Sequence, residues 1–485
     1  MIDIAALRRA FIESLPSVDH AGAEPDREPA YTYVPPSHAK ALDPEVSVVE
    51  GIRGAGKSFW WAQLASESHR NVIVKAFPEI RLEQGVRVVQ AFGAQLSSID
   101  APSQDVLTSL VDQYPPRIVW KAVLARKADF AEGFPHAGEW LERVRWVAEH
   151  PEAFDRALQQ VDLELDASGE TLVVLFDALD RLAEDWQHIR PLAKGLLQVA
   201  LELRSTRRIR FKLFMRPDML QDKEITQFPD ASKLLARKTA LVWRRVDLYA
   251  LLFQCLANSP NGGEAFRALC QEELGCAWRQ TNGTWQLPAV LRSEEKQQEQ
   301  VFARMAGTAM ASGPSGYKRG KPYTWLVNHL QDGLDQVSPR SFSEALRHAA
   351  EETSEGAALV LDYKAIQAGV REASKIRVDE LIREDYPWVE LVMHPLRGKL
   401  TVPCTAQDIE RLWEEDQTLS GLQMHLKAIP AKVKLPPPSV EPDAVLSELE
   451  SLGLLQRMGG QRIQMPDVYR LAFGLGRRGG VKPLK

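Results

Sequence analysis

The stretch that most restricts this chain is Gly51-Ile-Arg-Gly-Ala-Gly-Lys57-Ser58. It fits G-x-x-x-x-G-K-[ST] at every fixed position. Apolar Val46-Ser-Val-Val-Glu precedes it and reads as a buried strand, and a helical stretch from Ser58 to Glu67 follows. A strand, a glycine loop and a helix start in that order make a phosphate cradle. The glycines let backbone N–H groups wrap phosphate oxygens, and the positive end of the helix adds to the attraction. The candidate binding residues are therefore Gly51, Arg53, Gly54, Ala55, Gly56, Lys57, Ser58 and Phe59. Lys57 is placed to neutralise β/γ-phosphate charge, and the Ser58 hydroxyl to ligate Mg²⁺.

Such a loop needs an apolar strand ending in a carboxylate to complete the metal shell. Leu172-Val-Val-Leu-Phe-Asp177 supplies it, continuing Ala-Leu-Asp180-Arg181. Asp177 is the candidate metal residue with Ser58, and no glutamate directly follows it. Asp180 is either a second carboxylate that orients an attacking water or half of a surface pair with Arg181. A further strand, 208–215, ends in Phe214-Met-Arg216-Pro-Asp218. That puts Arg216 either at the ligand-binding edge of the sheet, facing transferred charge, or at an exposed strand end. Arg204, Arg207, Arg208, Arg210, Lys212 and Arg216 follow one another with no acid between them. The strip is a solvated face, a subunit interface or a DNA track.

Strands separated by helical segments predict an α/β fold: a P-loop core with a mainly parallel sheet, an α-helical lid and a C-terminal winged-helix-like domain. The expected strands are 46–50, 71–77, 171–176 and 208–215, with residues 80–165 mostly helical around a polar turn at 97–102. The boundaries follow as 1–45 for an N-terminal helix and proline-bearing covering arm, 46–240 for the core with its helical insertion, 241–375 for the lid and 376–485 for the last domain. In the last domain Thr405, with Asp408 three residues on, opens a capped helix. Residues 442–453 form a helix stopped by Gly453, and 454–466 two strands around Gly459-Gly460. Helices followed by a hairpin is the order of a winged helix.

A net charge of −5 over 485 residues excludes a chain that is basic throughout, so nucleic acid must be met by a local patch. Residues 453–485 supply one, with Arg457, Arg462, Arg477 and Arg478 among seven basic residues against Asp467 alone. The helix face carrying Glu448 and Glu450 is acidic and opposes entry into a major groove. The module therefore either binds double-stranded DNA through wing and tail or braces the core. Cys255, Cys270, Cys276 and Cys404 form no CxxC pair and read as buried thiols. No apolar run reaches membrane-spanning length, so the expectation is a cytoplasmic chain without a membrane partner.

Taken together, Gly-Ile-Arg-Gly-Ala-Gly-Lys-Ser, Phe-Asp177-Ala-Leu-Asp180-Arg and Phe-Met-Arg216-Pro-Asp resemble the P-loop ATPases of the STAND and KAP type, bacterial relatives of the AAA+ proteins. Ala178 stands where that group often has a second Asp. Segment 241–249 is similar to the start of the lid in such proteins, and Ser338-Pro-Arg340 to the helix start that senses nucleotide there. The resemblance implies an ATPase using ATP and Mg²⁺, with Asp177, Asp180 and Arg216 catalytic and Arg340 touching nucleotide. It further implies a nucleotide-driven switch that assembles with itself or with an effector protein, as in anti-phage defence. Two alternatives stay open: a DNA-loading ATPase that uses the winged helix, and a nucleotide-holding scaffold with little turnover.

Overall fold

The computed structural model describes residues 3–15, 25, 28–82, 85–93, 101–130, 133–313, 316–428 and 436–477. Two compact units emerge. One is built on Val34–Val242; the other combines the N-terminal helix Ile4–Ser14 with the chain from Trp243 onward.

The first unit holds a five-stranded sheet of β1 (Val48–Glu50), β2 (Val86–Phe92), β3 (Thr171–Phe176), β4 (Ile209–Met215) and β5 (Thr239–Ala240). Every pairing is parallel and the order is β2-β3-β4-β1-β5. Parallel sheets are covered on both faces, which is why β3 is apolar from Leu172 to Phe176. Its Leu172, Val174 and Phe176 enter one core with Trp120 and Leu192, whereas Val173 and Leu175 enter the opposite core with Trp60 and Trp61. Each such buried side chain contributes about 1.5–3 kcal/mol. The same alternation on β4 sends Phe211 and Leu213 to the first core and leaves Lys212 on the other face, wholly buried. This unit is an α/β fold with a parallel sheet and helices on both faces.

Two expectations change here. Residues 71–77 are not a strand but the end of the helix Glu67–Ala76. Only His69 and Ile73, four apart, are buried on it; one buried stripe outweighs the weak strand preference of Val72-Ile-Val. The strand lies instead at β2, inside the stretch expected to be helical. As an edge strand it is buried only at Ala91 and Phe92, so its sequence lacks a clean period of two. The rest of that insertion is helical, including Gln104–Val111, Pro116–Lys127, Trp140–Glu149 and Pro151–Ser168. The proline-bearing arm also does more than cover, because Val34, Ala41 and Leu42 are buried in the core.

In the second unit, helices run from Arg245–Ala257 to Tyr363–Glu380. An unexpected hairpin, β6 (Arg279–Thr281) and β7 (Thr284–Gln286), interrupts them. Its two-residue turn is Asn282-Gly283, both at positive φ, the pair that a tight hairpin prefers. Further on come β8 (Thr401–Val402), β9 (Cys404–Thr405), β10 (Gln456–Met458), β11 (Arg462–Gln464) and β12 (Gly476–Arg477). Thr405 and Asp408 form the expected capping box, and Gly453 ends its helix at φ 74°. Strand β11 pairs antiparallel with β10 and with β9, and helices Pro387–Met393, Ala406–Glu415 and Pro442–Ser451 share a core with them through Trp388, Trp413, Leu446 and Ile463. Cys255, Cys270 and Cys404 are buried free thiols, while Cys276 is only half-buried. No helix among the described residues is long and apolar enough to cross a membrane. The tail from Arg478 onward and most of the turn expected at 97–102 fall outside the described residues.

Candidate nucleotide site

β1 delivers Gly51 to the carboxyl edge of the sheet, where its N–H donates to the Met215 carbonyl at 3.0 Å. The loop then turns through Gly54 (φ 75°) and Gly56 (φ 98°) into the helix Lys57–Ala65. Side chains are strained at those two angles, so the glycines are required by the path. At Gly51 a Cβ would crowd Lys57 Cγ at 3.1 Å, so a larger residue there would push on the lysine side chain. Lys57 curls over its own loop, its Nζ donating to the carbonyls of Gly51 (2.9 Å) and Ile52 (3.0 Å). Burial and then the Arg216 cation lower its pKa to about 8, against the pull of Asp177, Asp180 and Asp218. Phe59 packs edge-on against Trp60, whose indole N–H donates to His38 Nδ1 at 3.1 Å. Burial lowers the His38 pKa to about 3, so the arm meets the loop helix through a neutral imidazole.

Asp177 caps β3, almost fully buried, with its N–H on the Phe92 carbonyl at 2.9 Å. Burial raises its pKa, while a hydrogen bond from the Ser58 hydroxyl and the charge of Lys57 hold it down. Ser58 and Asp177, 119 positions apart in the chain, thus meet as a hydroxyl–carboxylate pair, the oxygen donors that Mg²⁺ takes. Ala178 follows at φ 53°, ψ 38°, a left-handed conformation that costs a non-glycine residue about 1–2 kcal/mol. The strained turn carries Asp180 back over the edge.

There Asp180 meets Arg216 rather than Arg181. Arg216 Nη1 lies 3.5 Å from Asp180 Oδ2, and its Nε donates to Asp218 Oδ1 at 3.2 Å. Arg216 is 8% exposed, which rules out the reading of a solvated strand end. Asp218 was not singled out from the sequence; its signal was the carboxylate two residues after Arg216, with Pro217 opening a short helix between them. Lys57, Asp177, Asp180, Arg216 and Asp218 form a cluster with one excess negative charge, which suits a divalent cation beside an anionic ligand. The residues present fit Mg²⁺ and a nucleoside triphosphate: glycine-loop amides and Lys57 for phosphate, Ser58 and Asp177 for metal.

Arg340 lies in the second unit, at the start of the helix Pro339–Glu352 that Ser338 caps, with its Nη1 2.9 Å from Glu380 Oε1. Among the C-terminal arginines, Arg457 is held by Asp443 (2.7 Å) and Glu450 (3.2 Å), and Arg477 by Asp467 (3.1 Å). Arg462 is exposed, and Arg478 falls outside the described residues. The basic strip is largely consumed internally. Arg207 and Arg208 both bind Asp166. Arg210 binds Glu45, and the buried Lys212 ammonium donates to the carbonyls of Ala41, Asp43 and Val46. A continuous solvated track over 204–216 is therefore not formed.

The sequence matches no protein family profile and no curated protein. Among solved structures it is similar to the ORC2 protein of Aeropyrum pernix, described in ADPNP–ADP complexes, at 16% identity and a TM-score of 0.31 over 91% of this chain and 94% of that one. It is also similar to the Aeropyrum pernix ORC1 protein in complex with DNA (15% identity, TM-score 0.33, 96% and 94% covered). A third is Drosophila ORC bound to DNA (12%, 0.32, 96% and 90%). At these identities and TM-scores no residue role passes from those proteins to this chain.

Proposed function

We propose that this chain binds and hydrolyses ATP with Mg²⁺ and couples that cycle to engagement of double-stranded DNA. The observation that carries the ATPase reading is the meeting of Lys57, the Ser58–Asp177 pair and Arg216 between Asp180 and Asp218, at the carboxyl ends of β1, β3 and β4. Bound Mg-ATP supplies the scissile phosphoanhydride and a divalent charge. Lys57 exchanges the Gly51 and Ile52 carbonyls for phosphate oxygens. Ser58 and Asp177 hold the metal side, and Asp218 keeps the Arg216 guanidinium aimed across the edge. Arg216 stabilises charge on the transferred phosphoryl group, and Asp180 orients water once Arg216 turns from it toward that charge. With no glutamate after Asp177, and Asp180 engaged by Arg216, basal turnover is slow.

The DNA reading is supported by the C-terminal module, where β9, β11 and β10 make a three-stranded sheet against helices in winged-helix fashion. Arg462 is its exposed wing cation. A second reading, a self-assembling switch of the STAND or KAP kind acting on an effector in defence, draws on the Asp177-Ala-Leu-Asp180-Arg motif and on the acidic pairing of Arg457 with Asp443 and Glu450. Arg340 is proposed as the nucleotide sensor of the helical unit in either case, on the resemblance of Ser338-Pro-Arg340 to such a helix start.

ATP turnover and light-scattering mass of the wild type and Lys57→Ala, with and without duplex DNA, test this. The expected result is slow turnover that rises with DNA and is lost in the variant. Turnover indifferent to DNA with ATP-dependent assembly favours the switch, and absence of ATP binding overturns both readings.

A further inference from the structure

A cleft of about 100 Å³ opens at the amino end of the core sheet, lined by Glu45, Ser47, Arg204, Arg210, Lys233 and Arg237 beside Leu234. Ser47 immediately precedes β1 and Arg210 lies near the start of β4, so the cleft sits at the opposite edge from Lys57 and Arg216. Arg216, just past the end of β4, lies six positions beyond Arg210, ~20 Å along the strand direction. The cleft therefore shares no side chain with the nucleotide site.

Four cations face one carboxylate in this cleft, in a chain whose net charge is −5. Two of the cations are fixed by the backbone. Arg210 donates to the carbonyls of Thr206, Ile209 and Arg207 as well as to Glu45, and Arg204 donates to the Lys233 carbonyl at 2.7 Å. Arg210 has spent all but one of its N–H donors on these partners and gives the cleft mainly charge. Arg204, held through one nitrogen, can turn its remaining donors to an anion with little rotamer freedom to lose. The other two remain available: Lys233 pairs only with exposed Asp230, and Arg237 makes no side-chain hydrogen bond or ion pair among the described residues. The space admits a tetrahedral oxyanion with several waters.

We propose that this cleft is a second anion site that takes a phosphate group, the phosphodiester backbone of duplex DNA being one source and a free phosphate compound the other. The first source rests on the DNA reading above; the second does not. Two arms separate them. In the first, a labelled 30-base-pair duplex is titrated by anisotropy at several salt concentrations against wild type and Lys233→Ala/Arg237→Ala. Both residues are exposed, and thermal melting checks that the variant folds. A phosphate contact predicts three- to tenfold weaker binding and a log–log salt slope shallower by about 1–2. In the second arm, inorganic pyrophosphate is titrated by calorimetry into Lys57→Ala with and without the double substitution, so that the P-loop lysine does not contribute. Pyrophosphate binding lost with Lys233 and Arg237, while DNA binding is unchanged, assigns the cleft to a free phosphate compound. If the wild type does not bind the duplex, the DNA reading falls and the calorimetric arm alone judges the cleft. Unchanged DNA affinity and slope together with unchanged pyrophosphate binding overturn the proposal.

Discussion

Lys57 has a pKa of about 8 in the nucleotide-free protein, set by burial and by Arg216. Near neutral pH it is mostly charged; two units higher it is mostly neutral. From that value the ammonium is about 0.9 occupied by a proton at pH 7, about 0.5 at pH 8 and about 0.1 at pH 9. Bound triphosphate, with several negative charges on the lysine, keeps it protonated. Binding above pH 8 must therefore take up a proton, and the free energy of protonating Lys57 is subtracted from affinity. Between pH 7 and pH 9 the dissociation constant should rise about tenfold, or about 1.4 kcal/mol. Calorimetry with a non-hydrolysable ATP analogue and excess Mg²⁺, in buffers of different ionisation enthalpy, reads both quantities. Proton uptake should climb from about 0.1 to about 0.9 over that range. In Arg216→Met the cation that lowers the Lys57 pKa is gone, so the decline moves to higher pH and the profile flattens below pH 9. Equal dissociation constants at pH 7 and pH 9 with no proton uptake would refute the assignment. An identical slope in Arg216→Met would refute the role given to Arg216.

Asp218→Asn removes a charged partner of the nearly buried Arg216, an interaction worth about 1.5–3 kcal/mol. Turnover should fall about ten- to hundredfold with a much smaller change in nucleotide affinity, and undiminished turnover would count against the guanidinium's role. Lys212 has its pKa lowered by burial to about 7, below its ordinary value, so the unfolded chain binds the extra proton and stability rises with pH above 7. Native-state hydrogen exchange on β3 and β4 peptides should show that rise, about 1.4 kcal/mol per pH unit, shrink in Lys212→Met; an unchanged slope would contradict it. Arg457→Ala should leave DNA affinity and its salt slope unaltered, since Asp443 and Glu450 already occupy that side chain, whereas Arg462→Ala should flatten the slope by about 1.

What could be read from the sequence is what contiguous residues specify. Gly51 to Ser58 dictates its own path, because two positive-φ glycines and a lysine at a fixed offset need no distant partner to be recognised. The apolar run 172–176 announces a strand buried on both faces, and Thr405 with Asp408 announces a helix start. Tertiary structure decided everything that depends on residues far apart in the chain. It turned 71–77 into helix, because one buried stripe at Ile73 settled what propensity left undecided, and it placed the second strand at the half-exposed edge β2. It also redistributed charge. Asp180 could have met its neighbour Arg181 but meets Arg216, 36 residues on. Lys212 and Arg208 left the basic strip for carbonyls and Asp166, and Arg457 was taken from the wing by Asp443. Local steric rules are written into short segments, whereas burial and ion pairing belong to positions in space. A titratable side chain therefore acquires its role only when the fold brings its partner to it.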